Sequence, residues 1–106
     1  MNPTWQQKAA NFARTHGLLH DPATHALDLA SEVGEVAKEI LRVTEYGRQS
    51  FAPDGPRLEA ELGDALYSLL VLGEACDIEL GGALDLALAK YEQRLEQHGR
   101  ARSSDE

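Results

Sequence analysis

Residues 56–77 read PRLEAELGDALYSLLVLGEACD, and their periodicity is the strongest structural signal in the chain. Pro56 suits the first turn of a helix, and the leucines, alanines and glutamates after it are good helix formers. Leu62 and Leu69 belong to one apolar face, while Val71 and further leucines add apolar surface on other sides. A helix apolar nearly all round is buried on more than one side, so we expect other helices and a second subunit to cover it.

Proline and glycine divide the rest of the chain into three further helices. Prolines occur only at positions 3, 22, 53 and 56, which leaves two long stretches without the strongest helix breaker. Asp21 is a predicted N-cap for a helix that opens at Pro22, and the Gly81-Gly82 pair is a predicted junction before the last helix. The sequence predicts an all-α, four-helix bundle with helices at about 4–15, 22–46, 56–77 and 82–98, and a loop at 47–55.

Composition restricts the class of protein. The chain has 106 residues, 42% hydrophobic residues and a formal net charge of −8, so one globular domain over 1–98 is expected, followed by a disordered tail at 99–106. The negative charge argues against nucleic acid and anionic membranes as partners. The single Cys76 excludes an internal disulfide and a cysteine-based zinc site. With no secretory signal and no apolar run near the ~20 residues that span a bilayer, a cytoplasmic location is expected.

Two segments, residues 32–35 and 61–64, share an unusual pattern of an acid, an aliphatic residue, a glycine and a second acid. The i, i+3 spacing places both acids of a pair on one helix face, where like charges repel. Each glycine costs about 1 kcal/mol relative to alanine in a helix, so we expect Gly34 and Gly63 to let the two helices, or a ligand, approach closely. We expect the four acids to converge on a cation: Glu32, Glu35, Glu61 and Asp64.

The ligand type narrows the choice of cation. All-oxygen ligands favour Mg²⁺, Mn²⁺ or Ca²⁺, and the lack of Cys or His in either segment argues against zinc. Mg²⁺ held by a few carboxylates keeps open positions for water and substrate phosphates, which indicates a phosphate-bearing substrate. A Glu-x-x-Glu pair is most often a solvated surface face. The duplicated pattern, and the predicted place of Glu61 near the apolar stripe of its helix, favour the metal site.

At these residues the sequence resembles the MazG-like all-α nucleoside triphosphate pyrophosphohydrolases. The matching runs are residues 31–40 and 61–67, against a family pattern of Glu-Glu-x-x-Glu, a variable spacer and Glu-x-x-Asp, and the resemblance covers about residues 20–95. It implies a helical bundle assembled as a homodimer or homotetramer. It also implies hydrolysis of an NTP or dNTP to the monophosphate and pyrophosphate with Mg²⁺, for which Mn²⁺ may substitute.

The resemblance also assigns roles to residues. Lys90 and Arg94 match basic positions that touch phosphates in the family. The first glutamate of the family pattern is Ser31 here, and a serine cannot serve as the base that this glutamate is suggested to be. Either Glu35 or Glu39 takes the proton of the attacking water, or the metal alone lowers the pKa of that water. By position, the implied metal ligands are Glu32, Glu35, Glu61 and Asp64.

Two other functions stay open at the level of sequence. The run at residues 64–70 is similar to the phosphoribosyl-ATP pyrophosphohydrolases, a sister family, although the run at 32–39 favours the MazG-like branch. The second alternative is a non-catalytic helical module that binds a partner through the apolar third helix. Ser31 keeps this alternative open, because it removes a candidate base.

Overall fold

The computed structural model describes residues 2–52 and 55–98, and every regular element within them is an α-helix. The predicted all-α fold with four helices is confirmed for this part of the chain. The predicted disordered tail at 99–106 and two residues of the predicted loop, 53 and 54, lie outside the described residues. The helices are α1 (Trp5–Thr15), α2 (Pro22–Val43), α3 (Arg57–Ala75) and α4 (Leu80–His98).

The starts of α1 and α2 follow from local capping chemistry. The Thr4 side chain accepts a hydrogen bond from the Gln7 backbone, and the Gln7 side chain accepts one from the Thr4 backbone, which forms a capping box. Asp21 accepts from the backbone N–H of Thr24, and Pro22 occupies the first helical position, as predicted. These first turns are therefore determined by residues within four positions of each other.

α2 ends at Val43, earlier than the predicted Tyr46. The Gln49 side chain donates a hydrogen bond to the Val43 carbonyl at 3.0 Å, so this carbonyl finds a partner outside the helix. Tyr46 adopts a φ of 61° and Gly47 a φ of 87°, which is left-handed backbone that a right-handed helix cannot contain. The helix therefore ends before Gly47, the residue that was predicted to stop it, because the residue ahead of this glycine already has left-handed backbone.

α4 begins at Leu80, so the prediction that Gly81 and Gly82 form the junction is wrong. Both glycines lie in the first turn of α4, where the Glu79 carboxylate accepts hydrogen bonds from their backbone N–H groups at 2.8 and 2.7 Å. Asp77, with a φ of 59°, makes the turn between α3 and α4. The helix starts early because an acidic side chain caps it.

α3 is the central helix. It packs along α2 on one side and against α1 on another, which places Val71 in the interior with no exposed surface. The small core around Val71 comes from Ala9 and Ala13 of α1, with Leu19 and Tyr67 packed against it. Pairing α2 with α3 brings together the two helices that carry the acidic segments.

α4 is attached to this core mainly at its start. Gln6 is buried; its amide donates to the Ile78 carbonyl at 2.8 Å, and its side-chain oxygen accepts from the Leu80 backbone at 2.7 Å. A Cβ at Gly73 would lie 2.6 Å from the Leu80 side chain, so glycine is needed where α4 approaches α3. No residue of α4 is buried.

Large apolar side chains remain exposed on α3 and α4. Leu62 is 51% exposed and Leu69 42%, so the other helices of this chain leave part of the apolar surface of α3 uncovered. On α4, Leu86 is 76% exposed. The cover by a second subunit stays a prediction. None of the helices in residues 2–52 and 55–98 is long and apolar enough to cross a membrane.

Candidate metal centre

Three of the four predicted ligands meet where α2 packs on α3. One carboxylate oxygen each from Glu32, Glu61 and Asp64 lies within 4.8 Å of the others. Glu61 and Asp64 are one turn apart on α3, and α2 presents Glu32 to them. Glu32 and Glu61 are half-buried, while Asp64 is exposed. The cluster is therefore open to solvent on one side, and its donor atoms are all carboxylate oxygens.

The negative charges of the cluster act on one another. Burial raises the pKa of Glu32 above its ordinary value, and the nearby charges of Asp64, Glu61, Glu35 and Asp28 raise it further. Burial and like charges both disfavour the ionised form of a carboxyl group. A bound cation would reverse this unfavourable field, which is the electrostatic property of a metal site.

We expect Glu32→Gln to raise the free energy of unfolding at neutral pH when divalent ions are removed by EDTA. The folded-state pKa of Glu32 lies above the unfolded-state value, so this residue favours folding only while it is protonated. The stabilising contribution of Glu32 to the free energy of unfolding is fully present below its unfolded-state pKa. It is lost as the pH rises through its folded-state pKa.

Urea denaturation at pH 7.5 and at about pH 4 would test this. The gain from Glu32→Gln should be present at the higher pH and shrink at the lower one. Asp85→Asn, an exposed acid on α4, is the control and should show no such pH-dependent gain. Equal stability of Glu32→Gln and the natural protein at pH 7.5 would contradict the prediction.

The two predicted candidates for the base lie outside the three-acid cluster. Glu35 is exposed on α2 and lines a groove together with Glu61. Glu39 is only 6% exposed, and its carboxylate forms ion pairs with Arg42 and Arg57. Glu35 as a ligand, and either acid as a base, stay predictions.

The groove beside the cluster has a volume of about 440 Å³ and lies between the end of α2 and the start of α3. Sequence reasoning did not assign its basic residues to the site. The sequence held one signal for them, their density: four of the ten Lys and Arg of the chain fall within residues 38–57, which lie between or beside the two acidic segments. They are Lys38, Arg42, Arg48 and Arg57.

Lys90 and Arg94 lie on α4 and do not line the groove. The Lys90 ammonium sits 5.2 Å from the centre of the Tyr91 ring, on its own helix. Since α4 packs little against α2 and α3, the fold of one chain does not bring these two residues to the acid cluster. Their contact with phosphates stays a prediction.

The two glycines of the acidic segments do not serve helix packing. A Cβ at Gly34 or Gly63 would meet no atom within 4 Å, so the prediction that they let the helices approach each other is wrong. Both positions are exposed. The alternative that a ligand approaches them stays a prediction.

Comparison with known proteins gives a family match. The sequence model of the MazG nucleotide pyrophosphohydrolase domain matches residues 20–98. A curated relative, "Uncharacterized protein YpjD" of Bacillus subtilis (strain 168), is 34% identical over 68 residues, which are 62% of this chain and 60% of the relative. The chain thus spans about 60% of the length of this relative. No solved structure matches the chain significantly.

Proposed function

The chain belongs to the MazG nucleotide pyrophosphohydrolase family, and we propose that it hydrolyses a nucleoside triphosphate, an NTP or dNTP, to the monophosphate and pyrophosphate in a Mg²⁺-dependent reaction. The observation that carries this proposal is the convergence of Glu32, Glu61 and Asp64 from two helices. Acids far apart in sequence meet at an open site beside a groove that carries four basic side chains.

The residues fit a hard divalent cation. Carboxylate oxygens are the ligands of Mg²⁺ and Mn²⁺, and an open side leaves positions for water and phosphate oxygens. Burial raises the pKa of Glu32, and like-charge repulsion, which a divalent ion would relieve, raises it further. A bound Mg²⁺ would neutralise charge on the phosphates and acidify the attacking water.

Among the acids in the described part of the chain, Glu35 is the proposed acceptor of a proton from the attacking water. It is exposed on α2, one turn beyond Glu32, and it lines the groove with Glu61. Water would add to the α-phosphorus, its proton would pass to the Glu35 carboxylate, and the bond from the α-phosphorus to the bridging oxygen would break, releasing pyrophosphate. Ser31, exposed beside Glu32, has no basic group for this task.

Pyrophosphate release from a panel of canonical and modified NTPs and dNTPs, with Mg²⁺, Mn²⁺ or EDTA, tests the proposal. We expect release that depends on the metal, is lost in EDTA and identifies the preferred base. Phosphoribosyl-ATP belongs in the panel, because preference for it would favour the sister activity. Protein that is folded and binds Mg²⁺ but releases nothing from any substrate would overturn the enzymatic proposal and favour a non-catalytic module.

We also propose that the chain works as a homodimer or homotetramer. The support is the exposed apolar surface of α3 and α4, which includes Leu62, Leu69 and Leu86. Light scattering coupled to size exclusion should give a mass at least twice the 11.6 kDa of the chain. Leu86→Glu places a charge on this surface and should shift the mass towards one chain. A natural protein that elutes as one chain at micromolar concentration would contradict the proposal.

A further inference from the structure

A second groove, between α1 and α3, holds half of the Phe, Tyr and Trp residues of the chain. The chain has one Trp, three Tyr and two Phe, and this groove is lined by Trp5, Phe12 and Tyr67. Its volume is about 460 Å³, and leucine and alanine side chains complete most of its lining. We call it the aromatic groove. Grooves of this size with a mainly apolar and aromatic lining are typical of small-molecule binding sites.

The two aromatic residues that α1 contributes are not buried in the core. Trp5 is 69% exposed and Phe12 is 53% exposed. Tyr67 packs against the core and meets the Phe12 ring edge-on, with ring centres 6.1 Å apart and planes at 87°. A half-exposed aromatic ring keeps surface on which a flat ligand can stack. The aromatic groove therefore combines one wall fixed by the core with two rings that are open to a ligand.

The aromatic groove offers few polar groups. They are the Lys8 ammonium, the Tyr67 hydroxyl and the Trp5 indole N–H, and Lys8 is the one charged residue among the described lining residues. A purine or pyrimidine has flat faces that stack on aromatic side chains and edges that form hydrogen bonds. A chain of phosphates has neither flat faces nor apolar surface. The lining therefore suits a nucleobase better than phosphates.

The aromatic groove adjoins the three-acid cluster along α3. Gly63 lines the groove, and the next residue, Asp64, is the exposed member of the cluster. Tyr67 follows Asp64 at the i, i+3 spacing, so the two side chains are neighbours on the surface of the helix. In a nucleotide, a single sugar separates the α-phosphate from the base. A nucleotide with its phosphates at the cluster therefore has its base within reach of this groove.

Gly63 lies where such a ligand would cross from the cluster to the groove. A helix interior disfavours glycine relative to alanine, and a Cβ at this position would meet no protein atom within 4 Å. Packing within the chain therefore gives no reason for a glycine here. Glycine lets a ligand approach the helix backbone closely, which a nucleotide lying over this position requires.

We propose that the aromatic groove binds the nucleobase of the substrate, which passes over Gly63 and stacks on Trp5 and Phe12. This inference rests on the proposed function, since it names the part of the substrate that this groove holds. The apolar surface assigned above to a second subunit includes Leu62 and Leu69, and neither lines the groove. Assembly through those two residues therefore leaves the aromatic groove available to a ligand.

The fluorescence of Trp5 tests the inference directly, because this is the single tryptophan of the chain. The probes are the ribonucleoside and deoxyribonucleoside monophosphates, each titrated in the presence of Mg²⁺. At least one of them should quench the Trp5 emission in a saturable way, since its base stacks on the indole ring. Inorganic pyrophosphate with Mg²⁺ has no base and should leave the emission unchanged. N-acetyltryptophanamide in the same solutions corrects for light absorption and collisional quenching by the nucleotide.

Trp5→Leu should weaken binding of the quenching monophosphate about five- to hundredfold in calorimetry, the effect of losing one stacked aromatic ring. Its affinity for pyrophosphate with Mg²⁺ should not change, whereas a merely structural defect would weaken both ligands. Phe51→Leu is the matched control. Phe51 is also a half-exposed aromatic residue, 47% exposed, but it does not line the aromatic groove, so this variant should keep the natural affinity for the monophosphate.

Gly63→Leu separates stability from binding. A side chain at this position starts in open space, and leucine is a better helix former than glycine, so the melting temperature should stay the same or rise. The leucine would fill the crossing point between cluster and groove. Binding of the monophosphate should therefore weaken at least fivefold, while pyrophosphate binding stays natural.

The outcomes separate this inference from the proposed function. No saturable quenching by any of the monophosphates, or natural affinity in Trp5→Leu, would overturn the inference even if the natural protein hydrolyses triphosphates. A Trp5→Leu protein that falls from the natural assembly to one chain would show that a second copy covers the groove, and would overturn it as well. Quenching and binding that depend on Trp5, in a protein that hydrolyses no triphosphate, would support the base site while the proposed reaction fails.

Discussion

Asp64→Asn is expected to reduce the rate of pyrophosphate release by about a hundredfold or more while leaving the helices intact. Asp64 is the exposed member of the three-acid cluster, so its replacement leaves no cavity and no buried unpaired charge. The amide is neutral and a poorer ligand for a divalent ion than the carboxylate. The loss should therefore appear in turnover and in metal affinity, with the circular dichroism spectrum unchanged.

Glu59→Gln is the matched control for this experiment. Glu59 lies on the same helix, is exposed, and belongs neither to the cluster nor to the lining of the groove. It should keep near-natural turnover, so that loss of one negative charge on α3 is separated from loss of a ligand. Full activity in both Asp64→Asn and Glu61→Gln would contradict the assignment of the site.

Divalent ions are expected to raise the melting temperature strongly. A ligand that binds only the folded state adds about 2.7 kcal/mol at a free concentration of 100 times its Kd. In a domain of this size that corresponds to about 10–20 °C. The effect should be large here because the ion also relieves the like-charge repulsion that, after burial, raises the pKa of Glu32. Differential scanning fluorimetry over a Mg²⁺ or Mn²⁺ titration measures it.

The metal effect must be distinguished from that of salt. NaCl at matched ionic strength screens the acidic surface without occupying a site, and it should shift the melting temperature far less. Glu61→Gln removes one of the converging oxygens and should abolish most of the divalent shift. Equal shifts with Mg²⁺ and NaCl, or a full shift in Glu61→Gln, would show that the acids are only a solvated surface.

The amino-acid sequence was sufficient for the helices and for the pairing of acids within each segment. The cap at Asp21 and the i, i+3 spacing of Glu61 and Asp64 are relations between residues at most four positions apart. Local backbone geometry decides such relations, so periodicity and capping chemistry predict them well. Boundaries were less predictable where a distant or unexpected side chain acts, as Glu79 does at the start of α4.

Which acids meet at the site is decided by the packing of α2 on α3. Periodicity placed Glu32 and Glu35 on one face, but the register of the two helices brings only Glu32 within 4.8 Å of Glu61 and Asp64. The same register sets Glu39 against Arg57, a pair separated by a loop that no spacing rule covers. Helix register depends on how side chains of both helices interdigitate. Distances between helices therefore follow from the three-dimensional fold, whereas each helix follows from its own residues.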